Sequence, residues 1–407
     1  MIGDAVVPTG FSRVLHSVLD RLSSRYEIHQ LGINYVGDPH TSPWRIYPAG
    51  TLGQPLGFNR LPALLAQIAP QLIFMLNDPW VLMQYAGILT QIGSTVPCVA
   101  YFPVESDPLE TATITHLLRV TDLLVTYTQF GAREVESAIS RARSAHPELP
   151  KRDVAIVPHG VDRRLFYPLP EPDAGPGQRS RRAARRRLFP NRVDLDDAFI
   201  VLNANRNQPR KRIDVTMNAF ARFSRGKPAN VRLYLHMARQ DSGWDIQLLA
   251  GRLGIADRLL VTTEANDYPS ETIERLNLIY NACDVGVNTA SSEGWGLVAF
   301  EHASTGAPQV VPRHTSQIEL WDGAAELVEP SFVLTNETIL TQAYYVSAPD
   351  VADALERLYA DSAHRQALAS AALRRVSEPR FDWDEIAQRW DDIFRDILLQ
   401  RRKLQNK

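Results

Sequence analysis

Short, nearly unbroken runs of apolar residues recur along this chain and alternate with longer stretches of helical periodicity. Such runs are typical of strands that are covered on both faces, as in parallel sheets. The alternation predicts an α/β fold with right-handed crossovers. We expect strands at 71–76, 97–102, 122–127, 153–157, 199–204, 232–236, 259–263, 285–289 and 309–311, and helices at 11–23, 81–93, 213–224, 271–281 and 297–304. Residues 1–4 have the pattern of a strand's end, which indicates that the first strand begins upstream.

The length of the chain and one linker-like segment predict its domain organisation. At about 100–200 residues per domain, the 407 residues correspond to roughly two domains. The composition between 162 and 198 is typical of a linker, and we place the domains at 1–165 and 166–381. The linker residues are Pro168, Pro170, Pro172, Gly175, Pro176 and Gly177. Residues 382–407 have the period of one amphipathic helix. Its apolar face consists of Ile386, Trp390, Ile393, Ile397 and Leu398.

Composition excludes several classes of protein. The 44 Lys and Arg residues nearly balance the 46 Asp and Glu residues, so no global positive charge attracts nucleic acid or anionic lipid. The chain has two cysteines, no apolar stretch of about 20 residues and no signal-peptide pattern. We therefore expect a cytoplasmic protein without a transmembrane segment. Peripheral contact at the inner face of a membrane stays open as an alternative.

Six arginines lie between residues 179 and 187. Two interpretations stay open for this run: a site for an anionic partner or a phosphate-bearing acceptor, and a solvated helix that packs its apolar side chains. We favour the solvated helix, because charged residues are rarely buried. The apolar side chains are Ala183, Ala184, Leu188 and Phe189.

Two cations follow a predicted strand of the second domain. The segment 203–211 reads NANRNQPRK, and it ends just before a predicted helix. Ligands of α/β sheets bind beyond the carboxyl ends of strands, and helix N-termini favour anions. A turn at Pro209 lets Arg206 and Lys211 converge, and together they suit a diphosphate. The alternative is that both are solvated surface cations.

A second polar segment, 292–301, reads SEGWGLVAFE. Its glycines allow a close approach to a ligand, and Glu293 and Glu301 bracket the start of a helix. Carboxylates accept hydrogen bonds from vicinal hydroxyls, such as those of a sugar and of a ribose. A ligand with such hydroxyls at both ends and a diphosphate between them is a nucleotide sugar. Dipole compensation is an equally weighted alternative. A glycosidase pair ranks lower, because it leaves Arg206 and Lys211 without a role.

Other nucleotide and metal motifs are absent from the sequence. There is no G-x-G-x-x-G after the first strand, no P-loop and no zinc spacing of Cys and His. Asp382-Trp383-Asp384 has the letters of a metal-binding D-x-D, but it opens the terminal helix, and we interpret it as an N-cap.

These residues resemble a known family. Glu293 to Glu301 is similar to the E-x7-E motif of retaining glycosyltransferases with the GT-B fold, most of all glycosyltransferase family 4, and Arg206 with Lys211 resembles that family's R-x4-K pair. Further similar segments are PHGVD at 158–162, YNACD at 280–284, GAP at 306–308 and TGFSR at 9–13, whose Gly10 matches the family's glycine loop. The resemblance covers essentially the whole chain and is strongest from 199 to 312.

The resemblance implies two Rossmann-like domains with parallel sheets facing a cleft, and a final helix that returns to the N-terminal, acceptor-binding domain. It implies a metal-independent hexosyltransferase that retains anomeric configuration. By this likeness Arg206 and Lys211 hold the donor's diphosphate, Glu293 binds the sugar and Glu301 the ribose. The remaining donor contacts implied are Gly10, Gly294, Trp295, Gly296 and Leu297.

The sequence departs from the family near the donor sugar. The stretch 101–105, YFPVE, lacks the histidine often found there, so Asp78 and Glu105 are our candidates to replace it. For Asp78 an Asx turn is equally favoured. The family's later glycine pair is His314-Thr315-Ser316 here, and Ser316 is the candidate contact. Lys211 is followed by Arg212 rather than by the usual glycine.

Our leading hypothesis is therefore a glycosyltransferase that moves a hexose from a GDP- or UDP-sugar, with a lean to GDP-mannose, to a glycan, lipid or other hydroxyl. It needs no cofactor or metal. The alternative, motivated by the missing histidine, is a non-catalytic nucleotide-sugar-binding subunit of a polysaccharide assembly complex.

Overall fold

The computed structural model describes residues 1–7, 9–50, 53–170, 181–267 and 269–405 of the chain. Part of the predicted linker, including Pro172, Gly175, Pro176 and Gly177, lies outside the described residues, as does Arg179 of the arginine run. The chain forms two compact units. Unit 1 contains Met1–Gly160, Thr338–Thr341 and Pro379–Lys407, and unit 2 contains Val161–Glu337 and Gln342–Glu378.

Unit 1 is built on a parallel sheet whose strand order is β3-β2-β1-β4-β5-β6-β7. In register, Ile2 pairs with Leu31 on one side and with Met75 on the other. The strands are β1 Ile2–Asp4, β2 His29–Ile33, β3 Arg45–Pro48, β4 Ile73–Leu76, β5 Cys98–Tyr101, β6 Leu123–Thr126 and β7 Val154–Ile156. The helices between them are α1 Gly10–Leu22, α2 Leu61–Ile68, α3 Pro79–Gln91, α4 Thr111–Val120 and α5 Gln129–Ala145.

Unit 2 repeats the pattern with the order β10-β9-β8-β11-β12-β13. Its strands are β8 Phe199–Asn203, β9 Val231–Leu235, β10 Leu259–Val261, β11 Val285–Val287, β12 Gln309–Pro312 and β13 Glu326–Val328, and an antiparallel hairpin adds β14 Phe332–Thr335 and β15 Gln342–Tyr345. Its helices are α6 Arg181–Leu188, α7 Ile213–Phe223, α8 Ile246–Leu253, α9 Ile273–Ala282, α10 Leu297–Ser304, α11 Thr315–Trp321, α12 Ala348–Ala360 and α13 Ser362–Val376.

Each unit has its own apolar core, because its strands are covered by helices on both faces. In β4 and β5 every residue is buried, which is the physical reason for the unbroken apolar runs in the sequence. All nine predicted strands and all five predicted helices are present, with their ends shifted by at most two residues. The predicted α/β fold is confirmed.

The final helix, α14 Trp383–Gln405, belongs to unit 1. Trp390 is fully buried and lies with its ring centroid 4.6 Å from that of Phe74 and 4.8 Å from that of Tyr101. Asp391 accepts hydrogen bonds from Arg25 and from the Tyr26 hydroxyl, each at 2.6 Å. The predicted N-cap is confirmed, because the Asp382 carboxylate accepts from the backbone N–H of Asp384 at 2.8 Å.

Gly160 explains how closely this segment approaches the end of β7. A Cβ atom at Gly160 would lie 2.7 Å from the carbonyl oxygen of Phe381 and 2.9 Å from Cδ2 of Trp383. Because real Cβ atoms do not tolerate such distances, the glycine of the PHGVD segment is needed for the packing of the C-terminal segment.

The arginine run forms a helix that packs Ala184 and Leu188 and exposes Arg182, Arg186 and Arg187, as the favoured interpretation predicts, and Arg185 is the exception. Arg185 is buried, and it donates to Asp284 at 2.6 Å and to the carbonyl oxygen of Ala282 at 2.9 Å. Arg186 pairs with Asp196 at 2.7 Å. Arg185 therefore ties α6 to the segment between α9 and β11, because a buried guanidinium requires a paired charge, whereas the exposed Arg186 pairs with Asp196 ahead of β8. No helix of the described residues combines the length and the apolar character that crossing a bilayer requires.

Candidate functional site

The carboxyl end of β8 forms a stiff turn that carries the predicted cations. Asn203 is fully buried, and its side chain donates to the Thr216 hydroxyl at 2.9 Å and accepts from the N–H of Asn205 at 3.0 Å. A single 3₁₀ turn, Pro209–Lys211, then leads to Arg212. Arg212 has a φ of +51° and is the N-cap residue of α7. The family's usual glycine at this position is explained by that positive φ.

The cations and the carboxylate segment meet at Lys211 and Glu293. The ammonium of Lys211 donates to Oε2 of Glu293 at 2.5 Å, and both side chains are buried. Arg210 adds a second charge, because its Nη1 lies 3.7 Å from Oε1 of Glu293 and donates to the carbonyl oxygen of Ser292 at 2.9 Å. Burial raises the pKa of Glu293, but the charges of Lys211 and Arg210 outweigh it, so the pKa lies below its usual value.

The backbone of Glu293 is held by two hydroxyl groups from the start of α11. Ser316 donates to the Glu293 carbonyl oxygen at 2.6 Å, and Thr315 donates to it at 3.1 Å. The predicted contact residue Ser316 therefore lies in the same cluster as Lys211 and Glu293. With its carbonyl oxygen and its carboxylate both bound, Glu293 has little freedom to move.

The glycine loop leads from Glu293 into α10. Gly296 has a φ of +90°, which a side chain would strain, and Leu297 starts the helix. Trp295 between the two glycines is buried, and its carbonyl oxygen accepts from the amide of Gln317 at 3.0 Å. The predicted residues Gly294 to Leu297 thus form one ordered turn at a helix N-terminus, where backbone N–H groups favour anions.

Glu301 lies in the second turn of α10 and is buried. Its Oε2 accepts a hydrogen bond from the Tyr280 hydroxyl at 2.7 Å. The two acids of the motif therefore have different surroundings, with cations at Glu293 and a phenol at Glu301.

Arg206 has a partner different from that of Lys211. Its Nε and Nη2 donate to Oδ2 of Asp241 at 3.2 and 2.8 Å, and half of the arginine side chain is exposed. The two cations are thus paired with two separate carboxylates, and their convergence on one diphosphate stays a prediction. Within the described residues, no three His, Cys, Asp or Glu side chains are grouped as metal ligands.

The predicted residues of unit 1 lie in the loops after its strands. Gly10 is the first residue of α1, which Thr9 caps. Asp78 is the N-cap residue of α3 but makes no side-chain capping bond, so the predicted Asx turn is wrong; instead Asn77 accepts from the N–H of Asp78 at 2.9 Å. Burial and then the charges of Tyr101, Asp78 and Glu105 raise the pKa of Tyr127.

Sequence reasoning missed a buried acid at the end of β1. Asp4 accepts from the Thr9 hydroxyl at 2.7 Å and from the Asn77 amide at 3.2 Å. Burial raises its pKa, although both hydrogen bonds oppose the shift. The available signal was its position as the last polar residue of a strand.

Comparisons with known proteins show the family of the chain. A family model described as "Family 4 Glycosyltransferase in conflict systems" matches residues 173–390, more than half of the chain. The chain belongs to this family. The chain is 36% identical over 166 residues to the D-inositol 3-phosphate glycosyltransferase of Geodermatophilus obscurus, a match that covers 39% of this chain and 32% of that protein. It is 28% identical over 294 residues to the protein of that name from Streptomyces bingchenggensis, covering 70% and 55%. The chain therefore spans about a third to about half of the length of these relatives.

Solved structures show the fold of this chain. Sucrose-phosphate synthase from Thermosynechococcus elongatus is similar with a TM-score of 0.70 and 18% identity, over 98% of this chain and 96% of that one. The Anabaena protein HepE in complex with UDP and glucose is similar with a TM-score of 0.68 and 18% identity, over 97% of this chain and 98% of that one. A UDP-forming trehalose-phosphate synthase from Burkholderia vietnamiensis is similar with a TM-score of 0.67 and 17% identity, over 97% of this chain and 95% of that one. The fold is GT-B, as the motifs predicted.

Proposed function

We propose that this protein is a retaining, metal-independent glycosyltransferase that moves a hexose from a nucleotide diphosphate sugar to an acceptor hydroxyl. The observation that carries the proposal is the 2.5 Å contact between Lys211 and Glu293, which joins the R-x4-K turn to the E-x7-E segment. Both ends of the contact lie beyond the carboxyl ends of parallel strands, where ligands of α/β sheets bind.

In this proposal Lys211 and Arg206 bind the donor diphosphate. An ammonium has three donors, so Lys211 keeps its bond to Glu293 while it donates to a phosphate oxygen. As the bond between the anomeric carbon and the diphosphate oxygen breaks, these cations stabilise the negative charge that develops on the departing nucleotide. The acceptor oxygen bonds to the same face of that carbon, and its proton leaves with the nucleoside diphosphate.

Glu293 and Glu301 recognise hydroxyl groups at the two ends of the donor. Because Lys211 and Arg210 keep the pKa of Glu293 low, its carboxylate stays ionised and accepts hydrogen bonds from the hexose. Glu301 accepts from the Tyr280 hydroxyl through Oε2, and we assign the ribose hydroxyls to this carboxylate. Ser316 acts through the Glu293 backbone rather than as a sugar ligand.

For the donor we favour a UDP-hexose over the GDP-mannose that the sequence suggested. HepE is described in complex with UDP and glucose, and the trehalose-phosphate synthase is UDP-forming. The acceptor is a molecule with a free hydroxyl, and the candidate sugar or acceptor contacts of unit 1 are Asp78 and Glu105, which follow β4 and β5.

A donor panel tests the proposal. Purified protein is incubated with UDP- and GDP-hexoses, thermal shift reports binding, and mass spectrometry reports released nucleotide and product. Arg206→Ala and Lys211→Met should each lower turnover by about 10²–10³, the scale of one preorganised charge contact. Arg192→Ala is the matched control, because Arg192 also pairs with an aspartate, Asp194, but precedes β8 rather than following it. Unchanged turnover in both site variants would refute the assignment.

The alternative of a non-catalytic binding subunit rests on the loop 101–105, which has no histidine. It predicts that UDP-hexose raises the melting temperature while no donor is hydrolysed or transferred. Nucleotide release with any donor excludes it.

A further inference from the structure

A short loop of unit 2 lies over the cationic turn, and we call residues 241–244 the acidic loop. It follows β9 and contains Asp241, Ser242, Gly243 and Trp244. The carboxylate of Asp241 takes both hydrogen bonds from one edge of Arg206, through Nε and Nη2. This is the edge through which a guanidinium binds a phosphate in bidentate fashion.

The position of the acidic loop is built into the fold. Asn207, which follows Arg206 in the chain, is fully buried and accepts from the N–H of Trp244 at 3.0 Å through its side chain. Its backbone carbonyl accepts from the N–H of Gly243 at 2.9 Å. A Cβ at Gly243 would lie 2.3 Å from Oδ1 of Asn207, so the approach requires glycine. Asp241 therefore faces Arg206 because the two loops are bonded to each other.

The far end of the acidic loop contacts Arg212, the last cation of the turn. The guanidinium carbon of Arg212 lies 5.4 Å from the ring centroid of Trp244, within the range of a cation–π interaction. The loop thus places a carboxylate on Arg206 and an aromatic face on Arg212, on either side of Lys211 in the sequence.

The two ion pairs of the turn differ in how readily they exchange. Lys211 and Glu293 have side chains that are 10% and 6% exposed, so their separation would leave a buried charge without a partner. Arg206 and Asp241 are 50% and 23% exposed, and surface pairs of this kind are weak and screened by salt. An anion can therefore replace Asp241 on Arg206, whereas it can only add to the Lys211 pair.

We propose that Asp241 is an internal competitor for the diphosphate: its carboxylate occupies the edge of Arg206 that the donor and the product nucleotide would use, and so it lowers their affinity. The inference rests on the proposed function, since it assumes that Arg206 binds the diphosphate. Every nucleotide that binds first displaces Asp241, and Asp241 takes Arg206 back when the product leaves. The apparent dissociation constant is the intrinsic constant divided by the fraction of Arg206 that is free of Asp241.

Calorimetric titration of UDP and GDP into Asp241→Asn tests this competition. Asparagine keeps the Oδ1 acceptor for the N–H of Ser242, a bond of 2.7 Å, so the loop should stay folded. We expect UDP to bind about 3-fold to 10-fold more tightly than to the wild type, the size of one exchangeable surface pair. The gain should shrink between about 0.01 M and about 1 M ionic strength, because screening weakens exposed charges.

Two controls separate competition from a general effect of charge. Asp197→Asn removes the same charge from a surface pair with Arg182, before β8, and should leave UDP affinity unchanged. In an Arg206→Ala background, Asp241→Asn should give no gain, because the competitor then has nothing to release.

Each outcome decides between the two proposals. If the wild type binds UDP and Asp241→Asn binds it equally or more weakly, the competition is refuted and the proposed function stands. A gain that persists without Arg206 also refutes it. If neither the wild type nor Asp241→Asn binds UDP or GDP, the proposed function fails and the inference fails with it. Asp241→Ser, which keeps a hydroxyl acceptor, repeats the test should the asparagine variant fold poorly.

Discussion

One buried acid in each unit lies at or after the carboxyl end of a strand, and the pKa values of these two acids shift in opposite directions. Asp4 at the end of β1 has neutral donors, Thr9 and Asn77, and burial raises its pKa. Glu293 after β11 has two cations, and its pKa is lowered although burial alone would raise it. Parallel sheets therefore do not decide the charge of their carboxyl edges. The loops that follow the strands decide it, and in unit 2 they favour anions.

The sharpest test of this contrast is to remove the cation from Glu293. Lys211→Met leaves a buried carboxylate without its main partner, and breaking a buried pair costs about 3–5 kcal/mol of unfolding free energy. Urea unfolding measures the loss. Because the chain has two units, hydrogen exchange of peptides from β1 and β11 assigns the transition to unit 2.

Lys227→Met is the matched control for this prediction. Lys227 also lies 2.5 Å from a glutamate, Glu356, but that carboxylate is half exposed. Removing Lys227 should cost much less, since water solvates the remaining charge. Equal losses in the two variants would show that burial does not distinguish the pairs.

A second prediction compares the pH dependence of the two acids. The folded pKa of Glu293 is below its usual value near 4.5, so the stability it contributes is present above that value and is lost as pH falls through the folded pKa. The folded pKa of Asp4 is above its usual value near 3.8, so its contribution is complete below that value and is lost as pH rises through the folded pKa.

Against Glu293→Gln, the advantage of the wild type should therefore widen as pH rises from about 3, and against Asp4→Asn it should narrow, by about 1.4 kcal/mol for each unit of pKa shift. Urea unfolding from about pH 3 to pH 7 gives both slopes. Slopes of the same sign would contradict the opposite shifts.

The smallest expected effect is at the neutral donors of Asp4. Thr9→Val removes a 2.7 Å hydrogen bond to Asp4 and the cap of α1, and should lower the unfolding free energy by about 1–2 kcal/mol. It should also raise the pKa of Asp4 further. Thr9→Ser keeps the hydroxyl and should be nearly as stable as the wild type. If Thr9→Ser loses as much unfolding free energy as Thr9→Val, the hydroxyl is not the cause of the loss.

Buried strands with nearly unbroken apolar runs were predictable from the sequence, whereas β2 was not. β2 contains Gln30, which is fully buried because its amide donates to the Asp4 carbonyl oxygen and accepts from the Trp44 indole. Such a strand has no apolar pattern, since its burial depends on partners distant in sequence. The hairpin of β14 and β15 was missed as well; β14 reads FVLT, an apolar run like those of the buried strands, yet all four of its residues are exposed.

At the candidate site the residues were predictable from their motifs, but their pairing was not. Lys211 and Glu293 are 82 positions apart, and Arg206 and Asp241 are 35 apart. A motif identifies a charged residue, whereas its partner depends on which loops the strand order brings together. Asp241 belongs to no motif that the sequence offered, so its contact with Arg206 required the structure.

The packing of α14 on unit 1 has a consequence for synthesis of the protein. Phe74 and Tyr101 leave the ribosome early, but Trp390 follows only after all of unit 2 has been made. At about 5–20 residues per second, Trp390 is synthesised on the order of 15–60 s after this aromatic surface. The second unit can thus finish folding first. Until then, the aromatic surface of the nascent first unit is exposed and accessible to chaperones.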